Sequence, residues 1–470
     1  MTTTRVYGVE LVGIQAKLVP ILIFTPENGP AMQITGLSEN AAGELRIRIR
    51  SVLHCLEIDP ERIGISIPTL STDGGGHGLD LPVLIGVLAH LGKIPNPTTS
   101  IGPALEKIAS FGSVSLSGAI QPVRGAYCRM HNIPLGSALR ALWIIPRGNA
   151  AEAWSAEPTG SRFLDVASVQ DLLTELRRHE GIPEGFMFPP PPPMTLPDDD
   201  SSFYGHAHIS PRTLRVLEIA AASGAGLLLS GRMSVFCARR LTHLLPPLSV
   251  QEMTEVTSVH SAAMGLENGA VSSRPFRAPH HTVSDQGLVG NLAARAMRLG
   301  EVSLAHRGVL LLDQLDEFRR PGLESAFQLL RQGEMTSYNI ELRLPTNPAN
   351  VVATFEHDRP SAVVRVQRFQ HHFPLFHVPV PGACTPAEVA LARERVAHVW
   401  RQRALIHEWT SGAAFKRHGV RSGEGWQARP LSVKDTIAML NEATPGGTSP
   451  EEEERALLAE RPVALAKGDS

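Results

Sequence analysis

The sequence has almost no net charge, few cysteines and no long apolar run. Its 44 lysines and arginines stand against 46 aspartates and glutamates, a formal charge of -2 at neutral pH. No overall positive field therefore draws the chain to nucleic acid or to an anionic membrane, and any DNA contact must come from a local patch. The four cysteines, Cys55, Cys128, Cys237 and Cys384, stand apart, with no CxxC pair and no histidine at zinc spacing. That pattern excludes a disulfide framework and a structural zinc site, and it fits buried thiols in a reducing compartment. The longest apolar stretches, such as LDLPVLIGVLAHLG near residue 80, fall short of the roughly 20 residues that cross a bilayer. The beginning, MTTTRVYGVELVG, lacks the basic-then-apolar order of a secretory signal. The expectation is a cytoplasmic protein with no membrane partner.

What is present is the composition of an ordinary globular protein, 43% hydrophobic and 19% charged, in a chain of 470 residues that is long enough for two or three cores. The sharpest break is MFPPPPPMTLPDDDSS, five prolines followed by three aspartates, a stiff and solvated stretch. It divides the chain into a first domain over 1–186, a linker over 187–202, a second domain over 203–384 and a helical C-terminal region over 385–470. In the first domain β-branched runs alternate with helical patterns (PILIFTP, ENAAGELRIRIRSVLHCL, RIGISIPTL, LDLPVLIGVLAHL), an α/β arrangement. KIASFGSVSLSGAIQPVRGAYCRM reads as a hairpin turning near Ser117 and Gly118 and then a helix, and ALWIIPRGNAAEA as a strand leading into another helix. In the second domain RTLRVLEIAAASG is a helix ending at Gly224, GLLLSG a buried strand, and SVFCARRLTHLLPPL a helix stopped by Pro246 and Pro247. RGVLLLDQLDEF is a parallel-type strand with acids at its carboxyl end, GLESAFQLLRQGE an amphipathic helix, and ELRLPTNPANVVATFEHD supplies more strand. Such alternation gives a parallel sheet with its ligand site at the strand carboxyl ends. After 385 the pattern is helical, with a loop-like middle, SGAAFKRHGVRSGEGW.

Taken in order, LLLSG, RRLTHLLPPLS, RPFRAPHHT, GEVSLAHRGVLLLDQLDEF and LESAFQLLRQGE resemble the Mg-chelatase-related AAA+ proteins of the YifB/ComM family. LVGIQAKLVPILI, QITGLSENAAGELRIRIRSVL and GSVSLSGAIQPVRGA are similar to that family's Lon-related domain. The resemblance covers roughly residues 5 to 380. It implies a Lon-protease-like (ribosomal S5 domain 2-like) first domain, a P-loop AAA+ second domain, ATP and Mg as cofactors, and assembly into a ring, such as a hexamer, with itself or with an intact paralogue. It also implies a part in DNA processing, notably branch migration during natural transformation.

The ATP site departs from that pattern. A phosphate loop of the form GxxxxGK[ST] curls backbone N–H groups round the phosphates, with a lysine on the β and γ oxygens and a hydroxyl on Mg²⁺. Here GLLLS runs into Gly231-Arg232-Met233-Ser234-Val235-Phe236, about three residues shorter than the family loop. The second glycine and the lysine are missing, and Ser234 and Val235 fall where lysine and threonine belong. Only Arg232 or Arg239 could offer charge. The following acidic strand keeps Asp313, a metal ligand for Mg²⁺ if nucleotide binds, but Gln314 replaces the glutamate that polarises water. Glu317 lies beyond that position. The family's sensor asparagine falls on Thr354-Phe355-Glu356 and its arginine finger near Phe373, with Arg365 and Arg368 out of register. Gly231, Ser234 and Asp313 are thus what is left to touch a nucleotide.

A Lon-type peptidase needs a serine after a glycine turn and a lysine beside it. Ser71 to Gly78 offers glycines and His77, and the candidate base position holds Tyr127, so proteolysis is not expected. Arg274, Phe276, Arg277, His280 and His281 form a short basic and aromatic segment that fits phosphates and a stacked base, or else packing between subunits or support of the sheet. His371, His372 and His377 lack the spacing of a helical metal pair. The resemblance thus implies a DNA-processing factor, and the departures at the ATP site point to impaired ATP binding and hydrolysis. A working ATPase with an atypical site, and a regulatory or scaffold protein without DNA contact, stand as alternatives.

Overall fold

The computed structural model describes residues 3–27, 31–58, 62–68, 78–94, 108–131, 133, 142–156, 162–178, 209–266, 269–291, 298–337, 342–418, 432–442 and 449–458. The proline–aspartate stretch at 187–202 and Ser71 to His77 lie outside them.

The first domain is built on a mixed seven-stranded sheet. β1 (Thr3–Val12) and β2 (Gln15–Phe24) form an antiparallel hairpin, with Gly13 at φ 62° supplying the turn. β3 (Met32–Thr35) leads through helix α1 (Glu39–Cys55) to β4 (Ile63–Ser66). After helix α2 (Asp80–His90) come β5 (Ile108–Ser110), helix α3 (Ala126–His131), β6 (Leu142–Pro146), helix α4 (Ala150–Ser155), β7 (Arg162–Val166) and helix α5 (Val169–Arg178). The sheet order is β3-β4-β2-β1-β5-β6-β7. α2 is apolar on every side and buried from Asp80 to Ala89, as a helix must be when it fills the centre of a core. The expected hairpin is present, Ser113–Val114 paired with Ile120–Gln121 across a turn containing Gly118.

The second sheet has five parallel strands. Helix α6 (Pro211–Ser223) is capped by Ser210 and ends at Gly224 (φ 71°), and β8 (Leu227–Ser230) and helix α7 (Ser234–Leu244) follow. Helix α8 (Val250–Met264) comes next, then β9 (Phe276–Arg277), β10 (Val309–Leu312), helix α9 (Arg320–Gln332), β11 (Asn350–Phe355), helix α10 (Pro360–Gln367) and β12 (Leu375–His377). The order β9-β10-β11-β8-β12 places β8, the first of these five strands in the sequence, between the fourth and the fifth. This is the parallel sheet of a P-loop AAA+ domain. At the reversal of strand order beside β8 the carboxyl ends open a crevice.

Helix α11 (Pro386–His418), helix α12 (Val433–Glu442) and helix α13 (Pro450–Leu458) pack on this sheet unit, with α11 lying against α6. The first half of the expected loop-like middle is corrected here, since α11 runs on through SGAAFKRH to His418, and the rest of it, 419–426, lies outside the described residues. A single glycine at 412 costs only about 1 kcal/mol in a helix this long. Among the described residues no helix is long and apolar enough to cross a membrane.

β1 and α8 are not among the elements expected from the sequence. α8 opens with a capping box, Ser249 accepting from the Glu252 N–H while Glu252 accepts from that of Ser249. It joins the two domains. On the side of the first domain, Cys128 Sγ donates to the Ser258 carbonyl at 3.0 Å, Gly125 N–H to the Ser261 carbonyl at 3.0 Å, and Ser261 Oγ to Glu152 Oε1 at 2.5 Å. Burial pushes the Cys128 thiol up to about 12 and holds Glu152 above the usual carboxylate range.

On the other side Glu255 of α8 accepts from His306 Nε2 (3.1 Å) and Arg307 Nε (2.8 Å), just ahead of β10. Burial lowers the His306 pKa, so at pH 7 the ring is neutral, with Nε2–H donating and Nδ1 accepting from the Asn347 N–H. For Glu255 burial works against the charge, but the hydrogen bonds from His306 and Arg307 outweigh it and bring the carboxyl down from 4.5 to about 2. A carboxyl depressed in the folded state gives stability that is complete above its ordinary value and lost as the pH falls through the folded one. Glu255→Gln is therefore expected to cost roughly 3 kcal/mol at pH 7. The difference from the parent should vanish between about pH 4.5 and pH 2 in denaturant titrations. Equal parent and variant stabilities at pH 7 would refute this linkage.

Candidate functional site

Three residues, Gly231, Arg232 and Met233, separate β8 from α7. Gly231 takes φ 101°, and the Ser234 N–H (3.1 Å) and hydroxyl (2.7 Å) both donate to its carbonyl. The turn closes on itself, and Ser234, 3% exposed, spends both polar hydrogens inside it. A phosphate loop needs about six residues to curl its N–H groups round an anion before the helix begins. The chain has no lysine between Lys107 and Lys416, so none can reach the crevice from any strand of this sheet. Of the two cations expected to substitute, Arg232 is exposed on the turn and Arg239 lies 5.2 Å over the Phe276 ring.

Asp313 follows β10 at the crevice rim. Thr354, at the end of β11, donates its hydroxyl to Asp313 Oδ1 at 2.5 Å and accepts from the Gln314 N–H at 2.9 Å. Gln314 is exposed and left-handed, at φ 57° and ψ 61°. Ser230 Oγ lies 2.7 Å from both the Phe355 carbonyl and His357 Nδ1, with Asp358 3.0 Å from the other ring nitrogen. This Ser-His-Asp line is structural, because Ser230 is wholly buried and no substrate reaches its oxygen. Glu317 and Glu356 are both exposed and share Arg359, at 3.3 and 3.2 Å. Asp316, buried beside them, is pushed above the usual carboxylate range by that burial. The rim is thus acidic, with Arg359 turned to its own carboxylates.

The other expected positions are placed as follows. Phe373 is 1% exposed and packs on Phe327 in the core. Arg365 donates to the Asp316 carbonyl at 2.9 Å, and Arg368 lies in a surface hollow with His371 and His372. His372 stacks on Phe327 at 4.1 Å, and burial lowers it to about 4, while His377 is buried against Thr213 at 3.0 Å. Among the described residues no three His, Cys, Asp or Glu side chains converge as a metal site. Tyr127, at the position of a peptidase base, is a core residue stacked on His131.

The basic segment divides. Arg274 is corrected as a surface contact. It points inward, 9% exposed, donating to the Pro246 and Arg307 carbonyls at 2.6 Å and to Glu252 at 3.2 Å, because the turn after Leu245 leaves carbonyls that need a donor. Arg277 is held bidentate by Glu301 at 2.6 and 2.7 Å. His280 is exposed, while His281, its ring 4.0 Å from that of His280, is half-buried and meets the Phe318 ring edge-on at 6.4 Å.

Two family models match, "Subunit ChlI of Mg-chelatase" over residues 24–147 and "Magnesium chelatase, subunit ChlI" over 208–356. The competence protein ComM of Haemophilus influenzae is 29% identical over 357 residues, covering 73% of this chain and 67% of its own. The chain belongs to the Mg-chelatase-related family of ComM and YifB. Within that family an uncharacterised protein of Mycobacterium tuberculosis is 29% identical over 460 residues, 89% of this chain and 88% of its own length. YifB of Escherichia coli is 28% identical over 350 residues, 71% of this chain and 64% of YifB.

Proposed function

We propose that this chain is a DNA-processing member of the ComM/YifB family that neither binds ATP with ordinary affinity nor hydrolyses it. In the cytoplasm it would work as a ring subunit with itself or with an intact paralogue. The observation that carries this reading is the three-residue turn after β8. Such a turn cannot cradle a phosphate, and no substitution elsewhere makes up for the missing arc of N–H groups. The absent lysine, Gln314 and the hydrogen-bonded Asp313 support it. ATP and Mg, the family's cofactors in general, do not fit these residues. The DNA role is supported by the kinship with ComM and by the exposed His280.

Calorimetric titration of the purified protein with Mg-ATP is expected to show no saturable binding below about 1 mM, and a phosphate-release assay no turnover above background. Micromolar binding with turnover would establish the working-ATPase alternative. Branched DNA is expected to bind at low ionic strength and to release as salt rises. If no binding is found, the second reading gains, that of a scaffold without DNA contact, which is favoured by the internal pairing of Arg274 and Arg277. Arg274→Ala is unsuited to this assay because it disturbs the fold.

A further inference from the structure

At the opposite end of the five-stranded sheet, where the strands begin, lies a cavity of about 660 Å³. Gly224 precedes β8, Arg307 precedes β10 and Ala349 precedes β11, and Trp400 and Arg403 of α11 close the far wall. The volume is that of a small-molecule site, roughly 300–1,000 Å³, and the sheet stands between it and the crevice at the carboxyl ends.

Two independent features set its chemistry. One is an apolar wall, formed by Pro246, Pro247, Leu330 and Trp400. The Trp400 ring is fixed in place, with Nε1 donating to the Ala221 carbonyl at 2.9 Å and the Arg274 and Arg403 guanidiniums 5.0 and 5.7 Å from its centre. The other is an excess of cations. Four arginines line the cavity against one carboxylate, Glu252. Arg274 is answered by Glu252 and Arg307 by Glu255. Arg403 meets no carboxylate among the described residues and donates to the Ala222 and Ser223 carbonyls, at 2.9 and 3.3 Å, where α6 ends. Arg401 stands exposed at the mouth, without an ion pair among the described residues. Two cations with no counter-carboxylate among the described residues thus border an apolar wall, where an anion is attracted more strongly than in bulk water.

We propose that this cavity binds a small amphipathic anion, its apolar body against Pro246, Pro247 and Trp400 and its carboxylate, sulfonate or phosphate group at Arg401 and Arg403. The proposal is independent of the reading of the nucleotide crevice. The test uses the full chain, with anilinonaphthalene sulfonate as the anionic probe and N-phenylnaphthylamine as the neutral one. The sulfonate is expected to bind saturably and more tightly than the neutral dye. Ala397→Phe, which fills the cavity from α11, should weaken it at least tenfold with an unchanged melting temperature, and Arg401→Glu should weaken it about fivefold while leaving the neutral dye unaffected. If Ala397→Phe does not fold, Ala404→Trp at the exposed mouth serves in its place. Absence of saturable sulfonate binding, undiminished binding by the filled variant, or equal binding of the two dyes with no response to Arg401→Glu would each overturn the proposal.

Discussion

Glu218→Leu is expected to destabilise the second domain by about 3–5 kcal/mol, the usual loss when one partner of a buried ion network is removed. The Glu218 side chain is 1% exposed on α6 and accepts from Arg395 of α11 at 2.5 and 3.1 Å and from Arg215 at 3.0 Å. Arg215 in turn reaches Asn441 of α12 (2.7 Å) and Glu453 of α13 (2.7 and 3.1 Å). Glu218 and Arg215 of α6 together therefore fasten all three C-terminal helices to the sheet unit. Leucine would set an apolar side chain against the Arg215 and Arg395 guanidiniums, each about one-fifth exposed. Denaturant titration gives the magnitude, and limited proteolysis should show the C-terminal helices released first. The double variant Glu218→Leu/Arg395→Leu should recover part of the loss, because it removes a guanidinium that the leucine would face. A single variant within 1 kcal/mol of the parent would show that the network carries no such weight.

Gly308→Ala is expected to cost about 3 kcal/mol or more, a large effect for one methyl group. A Cβ at this position would stand 2.0 Å from the Pro275 carbonyl oxygen and 2.7 Å from its carbon. These are backbone atoms that cannot rotate aside. The same carbonyl accepts from the Val309 N–H at 2.8 Å, so the strand pair β9–β10 must open as the segment from Arg274 to His281 moves off. Hydrogen exchange at Val309 would report the opening directly. Gly43→Ala is the control. Nothing lies within 4 Å of its added methyl in α1, and there the substitution should be neutral or stabilise by up to about 1 kcal/mol. Similar melting temperatures for the two variants would count against the steric argument.

Much of the fold was legible because its signals are local. Ser210 and Gly224 bracket α6, Pro246 follows α7, and the unbroken VLLL of β10 marks a strand buried on both faces. α8 carried its own mark, the Ser249–Glu252 capping box, though its apolar pattern is weak because one flank faces the first domain. The shortened turn at Gly231 could be counted from the sequence, and the lysine-free span from 107 to 416 was equally open to inspection. What could not be read was direction. Arg274 belongs to a basic, surface-looking run, yet the carbonyls and the indole that hold it come from Pro246, Arg307 and Trp400, brought together only by the tertiary fold. The Thr354 hydroxyl on Asp313 was hidden in the same way, since parallel pairing of β10 and β11 is what aligns the two strand ends.

α8 also has a mechanical consequence. Its 15 residues form a rod about 22 Å long. Near its first turns the rod is bolted to the start of β10 through Glu255, and further along to the first domain through Ser258 and Ser261. A hydrogen-bonded helix yields little along its axis, so it acts as a strut. A displacement at the amino edge of the five-stranded sheet is passed to α3 and α4 as a push or a pull, with no flexible joint along the way to absorb it.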